Sequence, residues 1–226
     1  MLTVARVLMA VAALLAAAHP ARAQDDEAIL LIAHPGLRDI DYRHTVVLAA
    51  PEPRGGHVGV IINRPTRSSL ANLFPEHEPS KKVVEPVYYG GPFSRGALVA
   101  LVKASSTPGE GTVRFMKDLY LAFRVNTIDQ VIETHPNDAR YYVGYVGWRP
   151  GELKMEIDRG IWSVLSADRD LVFRKDMDGL WEELLQQTKR IRAEYRLDPR
   201  LRGDDEPYAA ARLAAFDFSN AILPPR

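Results

Sequence analysis

The 226-residue chain contains no cysteine, so it can form no disulfide, bind no metal through thiolate and use no thiolate nucleophile. It also lacks net charge. Lys and Arg number 29 and so do Asp and Glu, which leaves only a local basic patch to attract nucleic acid. A nucleophile elbow is missing too: Ser94 sits in Pro92-Phe93-Ser94-Arg95-Gly96 and Ser163 in Ile161-Trp162-Ser163-Val164-Leu165, neither of which is Gly-x-Ser-x-Gly. The glycine clusters Gly55-Gly56-His57-Val58-Gly59 and Gly109-Glu110-Gly111 have the spacing of neither a P-loop nor a dinucleotide fingerprint. Among His34, His44, His57, His77 and His135, no pair stands at the helical or tight strand spacing that presents two imidazoles to one zinc. Local spacing therefore assigns no catalytic residue, metal ligand or cofactor. Only a site assembled from distant segments stays open.

What is present begins at the N-terminus. Arg6 precedes the charge-free apolar run Val7 to Ala18, which Pro20 and the small-x-small triplet Ala21-Arg22-Ala23 follow. This is the layout of a secretory signal peptide. The run is shorter than the ~20 apolar residues that span a bilayer, so the expectation is cleavage after Ala23, with Ala21 and Ala23 as the recognised small residues. Loss of Arg6 and Arg22 with the leader lowers the Lys and Arg count from 29 to 27, against 29 acidic residues. The expected location is periplasmic or secreted, with a cytoplasmic protein and a retained leader as the alternative.

Beyond the leader, with 46% hydrophobic residues, there is apolar material for one sizeable core. Ile29 to Ala33, Thr45 to Ala50 and His57 to Asn63 predict three strands, separated by His34-Pro35-Gly36 and by a Pro/Gly-rich turn. Ser68 or Ser69 can cap a short helix through Leu70, Leu73 and Phe74, and Pro75 to Pro86 reads as loop. Further strands are expected at Val87 to Tyr89, Ala97 to Lys103, Leu119 to Val125 and Tyr141 to Val146. A helix capped by Asn126 or Thr127 carries Ile128, Val131 and Ile132. Pro150-Gly151 turns the chain into a helix from about Glu152 with Leu153 and Ile157 on one edge. Ile161 to Leu165 and Leu171 to Phe173 are strand candidates, and Gly179 to Tyr195 predicts the longest helix. The domain division is 1–23 leader, 24–187 globular domain, and 188–226 basic helix end and tail.

Five motifs share one family order: His34-Pro35-Gly36-Leu37-x-Asp39, Thr45-Val46-Val47-Leu48, Gly59-Val60-Ile61-Ile62-Asn63-Arg64-Pro65, Gly90-Gly91-Pro92, and Gly144-Tyr145-Val146-Gly147-Trp148-x-Pro150-Gly151-x-Leu153. In that order, over roughly Ile29 to Gln187, the chain resembles the AlgH/YqgE family. The resemblance implies an α+β fold whose mostly antiparallel or mixed sheet curls into a partly closed barrel with helices packed outside. It also implies a role described for members as transcriptional regulation, in the cytosol and without an evident DNA-binding motif. Glu152 departs from the family pattern, where glutamine is common.

Seven residues are candidates for binding: His34, Asn63, Arg64, Gly90, Gly91, Trp148 and Glu152. An arginine fork at a strand end can grip a carboxylate or phosphate; the structural alternative has Asn63 capping a turn and Arg64 tied to Asp39 or Glu152. Gly90-Gly91 can admit a ligand against bare backbone or simply turn the chain. Trp148 can recognise a ligand or cover the end of the sheet while its indole N–H finds a carbonyl. The expected function is an exported binding or regulatory module. The alternatives are the cytosolic regulator and a hydrolase or nucleic-acid-processing enzyme built at the sheet edge from His34, Asn63, Arg64 and Glu152. The expected partner is a protein or small molecule. Export argues against nucleic acid and limits membrane contact to the leader's passage.

Overall fold

The computed structural model of the chain describes residues 28–197, with side chains to residue 193. The expected signal peptide with Ala21 and Ala23, and the tail from residue 198, lie outside the described residues. Ten strands form the fold's backbone. The first three are β1 (Ile29–Ala33), β2 (Val46–Glu52) and β3 (Gly56–Ile61), an antiparallel meander in which every residue of β1 and β3 is buried. The unbroken apolar run of β1 fits a strand covered on both faces.

The remaining strands are β4 (Pro65–Ser69), β5 (Pro86–Tyr89), β6 (Phe93–Lys103), β7 (Thr112–Met116), β8 (Leu119–Ala122), β9 (Ala139–Trp148) and β10 (Trp162–Ser166). Pairing runs β10-β1-β2-β3-β9-β6-β8-β7, with β5 beside β9 and β4 beside β5. Among the described residues, only β5 and β9 pair in parallel. The architecture is therefore mixed α+β with a large antiparallel sheet.

That sheet is not closed into a barrel, which corrects the expected curl. The Ala28 N–H donates to the Phe115 carbonyl at 2.8 Å where β7 comes back toward β1, but β1 already has β10 on one edge and β2 on the other. The end strands are β10 and β7; with β1 already paired on both edges, β7 meets it through that single bond, and among the described residues no ladder joins β7 to β10.

Strand β9 divides the core because successive side chains alternate between faces. Tyr142, Val146 and Trp148 enter the larger cluster with β1, β2 and β3, whereas Ala139 and Tyr141 enter a smaller one. The smaller cluster is covered by α1 (Leu70–Leu73) and α2 (Val125–Thr134), through Leu70, Ile128, Val131 and Ile132. The larger one is covered by α3 (Glu152–Asp158), α4 (Arg169–Val172) and α5 (Leu180–Leu197), with Leu153, Ile157, Val172, Leu180 and Leu184 buried.

Ser69 caps α1 by accepting the Asn72 N–H at 3.1 Å, as its position predicts. By contrast, α2 starts two to three residues early, after Arg124, and the Thr127 hydroxyl instead donates to the Glu110 carbonyl at 2.8 Å. Leu171 and Val172 are helical rather than extended, because Asp168 accepts the Asp170 N–H at 2.8 Å and starts α4. The expected loop Pro75 to Pro86 contains a 3-10 turn, Glu78–Lys82.

Candidate functional site

Asn63 and Arg64 stand just past β3, beside the loop that leads from β1 to β2. The Asn63 amide works as a piece of backbone: Oδ1 accepts the Val46 N–H at 2.9 Å and Nδ2 donates to the His44 carbonyl at 3.0 Å. Arg64 donates to the carbonyls of Asp41 and Arg43, both at 2.8 Å. The expected carboxylate partner, Asp39 or Glu152, is thus replaced by two main-chain oxygens. Burial lowers the Arg64 guanidinium from its ordinary value, but the group stays a cation. Together the two side chains clamp the loop at residues 41–46.

A second layer fixes the same loop from the sheet side. The Tyr89 hydroxyl donates to one oxygen of Asp41 and Arg95 to the other, each at 2.7 Å. Burial and the bond to Asp41 push the Tyr89 phenol up to about 12, so it is a donor at neutral pH. Arg64 and Arg95 both lie over the Tyr89 ring, at 6.0 and 5.9 Å from its centroid. Asp41, Tyr89 and Arg95 were not singled out by sequence, because they belong to three separate segments.

Arg95 rides on a bulge. Phe93 pairs with Tyr145 and Leu98 with Val143, so residues 94–97 of β6 stand opposite Gly144 alone, and residues 93–97 are all exposed. Ser94 takes a left-handed φ of 48°, and the Phe93 ring stacks on Tyr145 at 6.1 Å. The result is an exposed bulge held on both flanks.

Gly90 and Gly91 face no open space. A Cβ on Gly90 would stand 2.2 Å from the Gly144 carbonyl oxygen, and one on Gly144 would stand 2.2 Å from that of Gly91. Here β9 passes from β6 and β5 to β3, and glycines on both chains let the backbones cross. The bare backbone is occupied by the chain itself.

His34 accepts the Gly36 N–H at Nδ1, 3.0 Å away, which makes it a local turn residue. Glu152 reaches back to the Arg149 N–H at 2.8 Å, next to Gly151 at φ 83°, and so secures the start of α3. Trp148 does not donate to a carbonyl. Its Nε1–H, at 2.8 Å, and that of Trp162, at 2.7 Å, converge on one oxygen of Glu156. The structure therefore unites Asn63 and Arg64 in one clamp and leaves His34, Gly90, Gly91, Trp148 and Glu152 in separate structural roles.

Distant segments do bring other polar groups together. His77 Nδ1 lies 2.7 Å from Ser80 Oγ, and Nε2 lies 3.3 Å from Asp129 Oδ1, with Glu133 close by. By residue type this is a Ser-His-Asp chain, but Ser80 is wholly buried and cannot meet a substrate.

The AlgH-like family profile matches residues 30–191. A UPF0301 protein of Mycobacterium leprae, ML0028, is 30% identical over 162 residues, which cover 70% of this chain and 80% of the relative. Another from Parabacteroides distasonis is 28% identical over 178 residues, 76% of this chain and 89% of that one. The crystal structure of DIP2367 from Corynebacterium diphtheriae aligns with a TM-score of 0.57 at 21% identity, over 72% of this chain and 86% of that one. The solution structure of the AlgH protein from Pseudomonas aeruginosa aligns with a TM-score of 0.56 at 22% identity, over 73% and 87%. At these identities the two structures establish a shared fold and nothing beyond it.

Proposed function

The chain belongs to the AlgH-like family, and from that premise we propose that it is an exported binding or regulatory module rather than an enzyme. The binding half is carried by one observation: the polar atoms of the most functional-looking pair, Asn63 and Arg64, are committed to main-chain partners. Donors held by the chain's own backbone are not free to exchange a proton with a substrate, and they preorganise the loop they hold. The contact face is the exposed bulge at residues 93–97, which presents Phe93 and Arg95 beside the anchored loop, to which Arg95 is tied through Asp41. Aromatic and arginine side chains are the residues most often dominant in interfaces.

The exported half rests on the leader, Arg6 through Ala23. The hydrolase reading needs His34, Asn63, Arg64 and Glu152 to converge, whereas His34 bonds Gly36 and Glu152 bonds Arg149. The cytosolic regulator reading requires an intact N-terminus and salt-sensitive DNA binding.

Fractionation of producing cells with N-terminal sequencing tests the proposal. The expected product is a chain starting at Gln24 outside the cytoplasm. An intact Met1 chain confined to the cytoplasm overturns export, and a specific turnover by the purified mature chain overturns the binding-module half.

A further inference from the structure

We propose that His77, Asp129 and Glu133 form a binding site for one divalent transition-metal ion of the zinc class. The three ligand atoms lie within 4.8 Å of one another. They come from two elements, the residue preceding the 3-10 turn at Glu78–Lys82 and helix α2. Asp129 and Glu133 are four residues apart on α2, which places both carboxylates on one helical face. Two like charges there repel each other, and a cation between them reverses the sign of that interaction.

The histidine–aspartate spacing leaves room for an ion between the two groups. His77 Nε2 stands 3.3 Å from Asp129 Oδ1, beyond the ~2.7–2.9 Å of a charge-assisted hydrogen bond. Ligand atoms about 2.0–2.1 Å from a tetrahedral zinc lie ~3.3 Å from each other. One nitrogen and two carboxylate oxygens are also a donor set that zinc accepts.

The outer contacts fit the same reading. His77 Nδ1 is 2.7 Å from the buried Ser80 hydroxyl; when Nδ1–H donates to that oxygen, the Nε2 lone pair is left to face the carboxylates. Metal-bound histidines are oriented by such a bond from the other ring nitrogen. The two elements are also locked to each other beyond the site. Asn137 accepts the Val84 N–H and donates to the Lys82 carbonyl, both at 3.1 Å. The nearby Lys81 is ion-paired to Glu78, which offsets its charge. Three protein ligands leave a fourth position for water or for a group from a partner.

Calorimetric titration of the metal-stripped chain with zinc chloride tests the site. The expected result is one zinc per chain, with affinity weakened at least ~10-fold in both His77→Ala and Glu133→Ala. Cobalt in place of zinc should give the intense visible absorption of a tetrahedral ion, lost in the same variants. Unchanged thermal midpoints of the metal-free variants exclude misfolding, since His77 is only partly buried and Glu133 exposed. No stoichiometric binding by the parent chain overturns the site. So does parent-like binding by both variants.

Discussion

Arg140 is fully buried and its Nε donates to Glu85 Oε2 at 2.7 Å, across 55 positions of sequence. The other two nitrogens donate to the carbonyls of Val172 and Arg174, at 2.7 and 3.1 Å, and the guanidinium lies 4.5 Å from the Tyr88 ring centroid. One side chain thus joins β9 to the approach to β5 and to the end of α4. Arg140→Ala should cost about 3–5 kcal/mol, because it takes the donor from two carbonyls and empties the space of a wholly buried side chain. Glu85→Gln keeps an acceptor, and Glu85 is partly exposed, so about 1 kcal/mol is expected. Urea denaturation of both variants checks the order.

Asn63→Ala should loosen the loop between β1 and β2 without melting the sheet. It leaves the buried Val46 N–H and the His44 carbonyl without their partner, a cost of about 1–3 kcal/mol. Hydrogen exchange should show faster exchange at Val46, and trypsin should cut sooner at Arg38 and Arg43. Arg64→Lys should behave like a loss, since one ammonium cannot reproduce a fork that spans two carbonyls. Unchanged exchange at residues 41–46 in both variants would sink the clamp assignment.

His57 predicts a pH dependence with a definite sign. It is 7% exposed on β3, and burial lowers its pKa to about 4. In the unfolded chain the value returns to ~6.5. Between those limits the unfolded state binds more protons, so stability is full above pH ~6.5, falls as the pH drops, and levels off below ~4. The loss is on the order of 3 kcal/mol. His57→Leu should flatten this part of a pH series of urea midpoints.

Two glycines with positive φ should respond differently to alanine. Gly144, at φ 71°, has the Gly91 carbonyl oxygen where a Cβ would go, whereas Gly151, at φ 83°, opens onto empty space. Gly151→Ala should cost only the left-handed conformation, about 1 kcal/mol. Gly144→Ala adds a backbone clash and should exceed roughly 3 kcal/mol. Equal thermal midpoints for the pair would remove the crossing from the account.

These contrasts show where the sequence was readable. The apolar runs of β1 to β3 and the spacing of Ile128, Val131 and Ile132 gave the right element types, because period and burial are written locally. Arg64 reads from sequence either as an anion grip or as a tie to Asp39 or Glu152; its hydrogen bonds go instead to carbonyl oxygens, which every residue carries and no residue type advertises. Glu156 was missed for a related reason: only the folded chain brings Trp148 and Trp162 to the same oxygen. The open sheet was hidden as well, since the strand that fills the outer edge of β1 is β10, more than 130 residues later.

Trp162 pairs with Ala33 at the end of β1, Trp181 donates to the Ala33 carbonyl at 2.9 Å, and Trp148 lies 6.5 Å from Trp162. These are the chain's only three tryptophans. Its intrinsic fluorescence is therefore a spectroscopic view of one corner. Tryptophan emission, excited where tyrosine does not absorb, will follow the docking of α3 and α5 on β10 and β1, while fraying of the β7–β8 edge passes unseen by it.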